Sequence, residues 1–232
     1  MKKLLITLGL AAVAAGAFAQ GTVNPANTAG TLFHTNAPVN NAGVIPGVGN
    51  TGPALGGFYY EVLTAPSSVT TVDSSLQGLL SGPWSDTGLR LTNTTFATGG
   101  HVSGPSGTAG VVANWPNARQ SYIIVGWSAT EGATTWTGIS AQLAGATFSG
   151  GKWTGGLLVP GGFVGATTIQ AAVSGTPAGI GTFSLFGAGT NVNGSPIVTP
   201  TDLFLVDAVP EPTSFALVGL GAAALMIFRR RK

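Results

Sequence analysis

The sequence predicts an all-β fold, a two-layer antiparallel β-sandwich of jelly-roll-like type, flanked by an N-terminal signal peptide and a single C-terminal transmembrane helix. Three observations carry that expectation. Short runs of β-branched and aromatic residues recur between glycine and proline turns. The middle of the chain has almost no sustained 3.6-residue periodicity. The composition of the whole chain, 44% apolar and 7% charged, suits a buried core, whereas disorder goes with low hydrophobicity and high net charge.

The elements follow in chain order. Met1-Lys2-Lys3 is a basic n-region, Leu4 to Gly16 an apolar h-region, and Ala17-Phe18-Ala19 a small-x-small cleavage site, so residues 1–19 read as a signal peptide cut between Ala19 and Gln20. Gln20 to Gly57 is rich in Asn, Gly and Pro and reads as loop, with edge strands near Thr22-Val23 and Thr31-Leu32-Phe33. Strands are expected at Phe58 to Leu63, Leu89 to Phe96, Thr168 to Val173, Thr182 to Phe186 and Leu203 to Val206. The clearest is Ser121 to Trp127. It is apolar on both alternating faces, which is the pattern of a central strand covered on both sides, with Ile123, Val125 and Trp127 toward one core. Val72 to Leu80 and Ala133 to Leu143 are expected to hold short helical turns at connections. A single sheet of such strands would leave an apolar face wet, so two packed sheets are expected in one exported domain, residues 20–207.

Charge narrows the partners. The formal net charge of +2 includes Lys2, Lys3 and four cations at the C-terminus, which leaves Arg90, Arg119 and Lys152 against seven acids between Gln20 and Phe228. Three scattered cations make no phosphate-binding patch, which argues against a nucleic-acid partner. Cysteine is absent, so the domain depends on its core without disulfides.

Motifs for chemistry are weak. Gly47-Val48-Gly49-Asn50-Thr51-Gly52 matches G-x-G-x-x-G, but Pro46 and Pro53 flank it where a dinucleotide site needs a strand before and a helix after. His34 and His101 stand without ligands at short spacing, and the acids Glu61, Asp73, Asp86, Glu131, Asp202 and Asp207 are mostly isolated. No cofactor, metal or catalytic residue is assigned. Asn93-Thr94-Thr95 and Asn193-Gly194-Ser195 fit the N-glycosylation pattern. The aromatics offer the binding hypothesis: Trp84, Trp115 and Trp136 lie near turn formers, where exposed indoles stack on sugar rings, while Trp127 reads as core.

The C-terminal segment, residues 208–232, carries an address. Pro210-Glu211-Pro212 marks a stiff boundary, because proline lacks a backbone N–H and fixes φ. Phe215 to Phe228 is an apolar run, and Arg229-Arg230-Arg231-Lys232 closes the chain as stop-transfer cations. This order of parts resembles the PEP-CTERM sorting signal of bacterial exported proteins. The resemblance implies signal peptidase and exosortase as processing partners, transient anchoring in the inner membrane, and release to the cell surface or beyond. Gly21-Thr22-Val23-Asn24 after the signal cut and the strand Tyr122 to Trp127 are similar to other proteins bearing that tag, although Gly126 stands where they have arginine or alanine. That likeness implies a β-sandwich and a non-enzymatic surface or matrix role with extracellular polysaccharide. A carbohydrate-binding module is the alternative reading, and a secreted hydrolase the third.

Overall fold

The computed structural model describes residues 21–36, 49–51, 57–73, 75–95, 99–104, 110–112, 115, 118–172, 183–187 and 195–207. The expected signal peptide with its Ala19–Gln20 cut, Pro210-Glu211-Pro212, the expected transmembrane run Phe215 to Phe228, and Arg229 to Lys232 lie outside these residues. The described part is mostly β. Its strands are β1 (Gly21–Asn24), β2 (Phe33–Thr35), β3 (Gly49–Asn50), β4 (Phe58–Pro66), β5 (Ser85–Asn93), β6 (Val102–Ser103), β7 (Gly110–Val112), β8 (Gln120–Ser128), β9 (Ala146–Ser149), β10 (Lys152–Gly155), β11 (Phe163–Ala166), β12 (Gln170–Ala172), β13 (Phe183–Ser184) and β14 (Thr201–Leu205). Helices α1 (Gln77–Ser81) and α2 (Trp136–Leu143) sit within the two connections where helical turns were expected.

β8 is the centre, as its two-faced apolar pattern predicts. It pairs along its whole length with β4, and on its other edge with β11 and then β12. Tyr122 and Ile124 enter one core, with Phe33, Phe58, Tyr60, Leu91 and Leu203. Ile123, Val125 and Trp127 enter the other, with Leu79 of α1, Ile139 and Leu143 of α2, and Trp153 of β10. Between β11 and β12 the ladder is carried by Thr167, whose N–H donates to the Ile124 carbonyl while its Oγ1 accepts from the Ile124 N–H at 3.0 Å.

The layering differs from the sandwich expected. One large sheet runs β3-β2-β14-β11-β8-β4-β5-β6, with β12 also on β8. Its two ends meet: Thr51, next after β3, accepts from the Gly100 N–H, and Phe33 of β2 donates to the Gly100 carbonyl. The sheet is therefore nearly closed around the first core, whose open side is capped by Val23 and Phe183 of a smaller sheet, β13-β1-β7. The second core lies outside the curl under α1, α2 and the β9–β10 hairpin. Nor is the pairing wholly antiparallel, since β14 with β2 and β1 with β13 run parallel.

Local irregularities explain the curl. Opposite Glu61 to Leu63, β5 spends Arg90 to Asp86, a bulge built on Gly88 at φ 71. Asp86 Oδ1 accepts from the Gly88 N–H at 2.7 Å, and Thr87 Oγ1 donates to the Val62 carbonyl at 2.7 Å, so side chains replace the lost ladder bonds. At the centre Gly126 faces Gly165. A Cβ on Gly126 would stand 2.6 Å from the Tyr60 ring, and one on Gly165 would stand 2.5 Å from the Asp202 carbonyl. This close approach requires glycine at both positions.

Gly126→Ala should therefore cost about 1–3 kcal/mol by overpacking against Tyr60, read as a lower urea midpoint with unchanged slope. Val125→Asp, which buries an unpaired charge, should prevent folding altogether, seen as loss of the β-type circular dichroism. Native stability in either variant would contradict the double-sided burial of β8.

Candidate functional site

Among the described residues a concavity lies beside the β9–β10 hairpin. The sequence T-F-S-G-G-K-W makes that hairpin: Gly150 and Gly151 take φ 59 and 73, the two-residue turn that matches strand twist, and Ser149 pairs with Lys152. Trp153 is then opposite Phe148, with ring centroids 5.0 Å apart, and Phe148 meets Phe204 of β14 edge-on at 4.9 Å. The Trp153 indole is buried and donates to the Val164 carbonyl at 3.0 Å, which anchors the cluster, while Phe148 and Phe204 stay half-buried.

These rings border a cavity of about 480 Å³ over the face of β8 and β11, walled by the exposed hydroxyls of Thr70, Thr71 and Thr168, with Asp73 at its margin. Such a volume is in the usual range of ligand sites. A second cavity of about 390 Å³ shares Thr70 and Ile169 with the first and adds Ser67, Arg119, Gln170 and Ser195. The two cavities adjoin at these residues, and the groove they outline lies near the point where Thr167 bridges β11 and β12.

Two glutamates are buried elsewhere. Glu61 on β4 accepts from the Trp136 N–H at the start of α2 and meets Arg90 Nε at 3.3 Å, its burial and the nearby Asp86 charge pushing its pKa up. With Thr135 Oγ1 accepting from the Gly138 N–H, it caps α2. Glu131 accepts from the Val159 N–H at 2.9 Å, and burial pushes its pKa up to about 7. Its other oxygen has no hydrogen-bond partner and rests on Gly162, where any Cβ would collide with it. Both carboxyls are shielded from solvent, so they tie connections together and present nothing to a substrate.

The structure relocates the tryptophans singled out as stacking candidates. Trp115 is fully buried between Tyr122 at 5.4 Å and Phe183 at 6.1 Å. Trp136 is buried as the first residue of α2, and Trp84 is half-buried against the second core. An indole needs a wet face to stack on a sugar, so Trp115 and Trp136 make no platform and seal the core beside their turns, whereas Trp84 keeps part of its surface exposed. Trp153, which the sequence reading passed over, lies at the groove instead. Its signal was the Gly150-Gly151 turn between two short aromatic-bearing runs.

The remaining candidates are structural. Gly49 and Asn50 form an edge strand followed by buried Thr51, and among the described residues the next element is β4, a strand. Asn93 is buried and its Nδ2 donates to Thr51 Oγ1 at 2.9 Å, which removes it as a glycan acceptor; Asn193 lies outside the described residues. His34 Nδ1 stands 3.9 Å from Asp202 Oδ1 across β2 and β14. Among the described residues no three His, Cys, Asp or Glu side chains gather as a metal site, and no helix is long and apolar enough to cross a membrane.

The domain's exit is stapled. Val206 bridges to Trp153, the Asp207 N–H donates to the Trp153 carbonyl, and Lys152 Nζ meets Asp207 Oδ2 at 2.9 Å. Directly beyond it, residues 208–232 match the PEP-CTERM protein-sorting motif. No curated protein and no solved structure matches the chain.

A pH dependence follows from Glu131. Its folded pKa of about 7 is above the ordinary 4.5, so its contribution to stability is fully present below about pH 4.5 and is lost as pH rises through 7. The loss is of order 3 kcal/mol. Glu131→Gln should flatten the fall of Tm between pH 5 and pH 8; an equal fall in wild type and variant would assign the effect elsewhere.

Proposed function

We propose that this chain is an exported surface or extracellular-matrix protein, processed by exosortase, that works without enzymatic chemistry and associates with extracellular polysaccharide. The match of residues 208–232 to the sorting motif carries the proposal. Its parts are in working order for that role. As a helix, Phe215 to Phe228 would rise about 21 Å, short of the roughly 30 Å hydrocarbon core, with Arg229 to Lys232 snorkelling to the inner face. Such a marginal span suits a temporary stop. The cations stay cytoplasmic by the positive-inside rule, which leaves Pro210-Glu211-Pro212 outside, on the side to which a signal peptide delivers the domain.

The non-enzymatic part of this reading is supported by the burial of Glu61 and Glu131 and by the engagement of Asp202 and Asp207 with His34 and Lys152. A glycoside hydrolase canonically needs two carboxyls across one cleft; the first cavity is lined by Asp73 beside hydroxyls and rings. That same lining favours carbohydrate binding as the second reading.

Glu211→Ala should leave export intact and trap the chain with its tail uncut, whereas an unrelated apolar segment of equal length in place of Phe215 to Phe228 should still permit processing. Mass spectrometry of the C-terminus, in cells with and without exosortase, checks both. Retention of Arg229 to Lys232 in both kinds of cell would make the tail a plain anchor and end the sorting reading.

A further inference from the structure

We propose that the groove beside the β9–β10 hairpin is the binding site for a segment of uncharged polysaccharide longer than one sugar ring, a proposal that rests on the polysaccharide association above and names its site. Shape comes first. The cavities of about 480 and 390 Å³ share the walls Thr70 and Ile169, and the residues along the rim, Ser67, Thr70, Thr71, Thr168 and Ser195, are exposed. The result is a channel open along its length rather than a closed pocket. A polymer can lie in it without threading an end.

The chemistry of the lining matches a sugar on both of its surfaces. A pyranose has an apolar C–H face and a rim of hydroxyls. Half-buried Phe148 and Phe204, held edge-on at 4.9 Å by the buried Trp153, give a pre-set aromatic surface at one end. Along the groove, Thr and Ser hydroxyls act as both donors and acceptors, and the Gln170 amide is held by its contact to Thr168 Oγ1 at 3.4 Å. Thr167 and Ser121 are committed to the frame, the first to the Ile124 N–H and the second to the Val69 carbonyl at 2.6 Å, so the wall that carries the exposed hydroxyls is rigid.

Charge selects among polymers. Asp73 borders one cavity and Arg119 the other, so the lining has one charge of each sign and no field that would gather an anionic chain. A peptide fits less well. Strand addition needs an unpaired edge, and under the first cavity the floor is the face of β8 and β11, both paired on two sides.

The test uses the full chain in detergent micelles and affinity electrophoresis through gels containing dextran, mannan or a mixed-linkage β-glucan, with alginate as the anionic comparison. Retardation by at least one uncharged polymer is expected. Phe148→Ala should weaken it about tenfold, Phe148→Tyr should preserve it, and Thr168→Trp, which fills the channel from an exposed position, should abolish it with an unchanged circular dichroism spectrum. Should Phe148→Ala fail to fold, Thr168→Trp decides. Retardation that survives Thr168→Trp would overturn the groove and leave polysaccharide association standing. Retardation by alginate alone would overturn the uncharged ligand. A wild-type chain that none of the four polymers retards would overturn the association itself, and the groove with it.

Discussion

A strand buried on both faces imposes the architecture. β8 carries Tyr122 and Ile124 on one side and Ile123, Val125 and Trp127 on the other, and both rows are removed from water. Each such side chain contributes about 1.5–3 kcal/mol when fully buried, so the chain must supply a cover for each face. It supplies two different covers. One is the sheet itself, curled until Gly100 reaches Thr51; the other is assembled from α1, α2 and the β9–β10 hairpin. Backbone satisfaction makes the same demand along the edges of β8. β4 meets it on one edge without interruption, whereas on the other the ladder passes from β11 to β12 through Thr167. The groove lies near that interruption, so its position is a by-product of how the central strand is satisfied.

The chain has no cysteine, and close packing at the centre of its sheet is made at glycine. A cross-link restrains the unfolded chain, whereas Gly126 and Gly165 let strands and an aromatic ring approach at distances that a Cβ forbids. Tyr60 covers Gly126, and its hydroxyl meets Thr51 Oγ1 at 3.1 Å and Asn93 beyond, so one residue links the tight centre of the sheet to the seam where it nearly closes. Buried carboxyls serve the outer cover in a comparable way. Glu61 holds the start of α2, and Glu131 draws the 159–162 turn toward the end of β8 through the Val159 N–H. Both are costly as anions in those places, which is the physical basis of the pH dependence expected of the outer cover.

Domain and tail are joined at one point. Trp153 holds Val206 and Asp207 through backbone contacts while its ring supports Phe148, so the exit toward the sorting motif and the aromatic end of the groove share one residue. Asp207, the last described residue, therefore lies next to the aromatic end of the groove.

Local patterns determined a good deal from sequence. The two-faced run Ser121 to Trp127, the strand at Phe58, and the helical turns within 72–80 and 133–143 were legible because alternation, β-branching and turn residues act over a few neighbours. So was the sorting motif, whose three parts are contiguous and whose match to residues 208–232 needs no fold. The tertiary structure alone decided what depends on residues far apart. Closure of the sheet joins Thr51 to Gly100, the burial of Trp115 needs Phe183, and the groove's aromatic end needs Phe148 beside Phe204. A tryptophan beside a turn has the same sequence signature whether it seals a core or faces a ligand. Which of the two it does is set by the long-range packing above it, and that is written in no window of neighbouring residues.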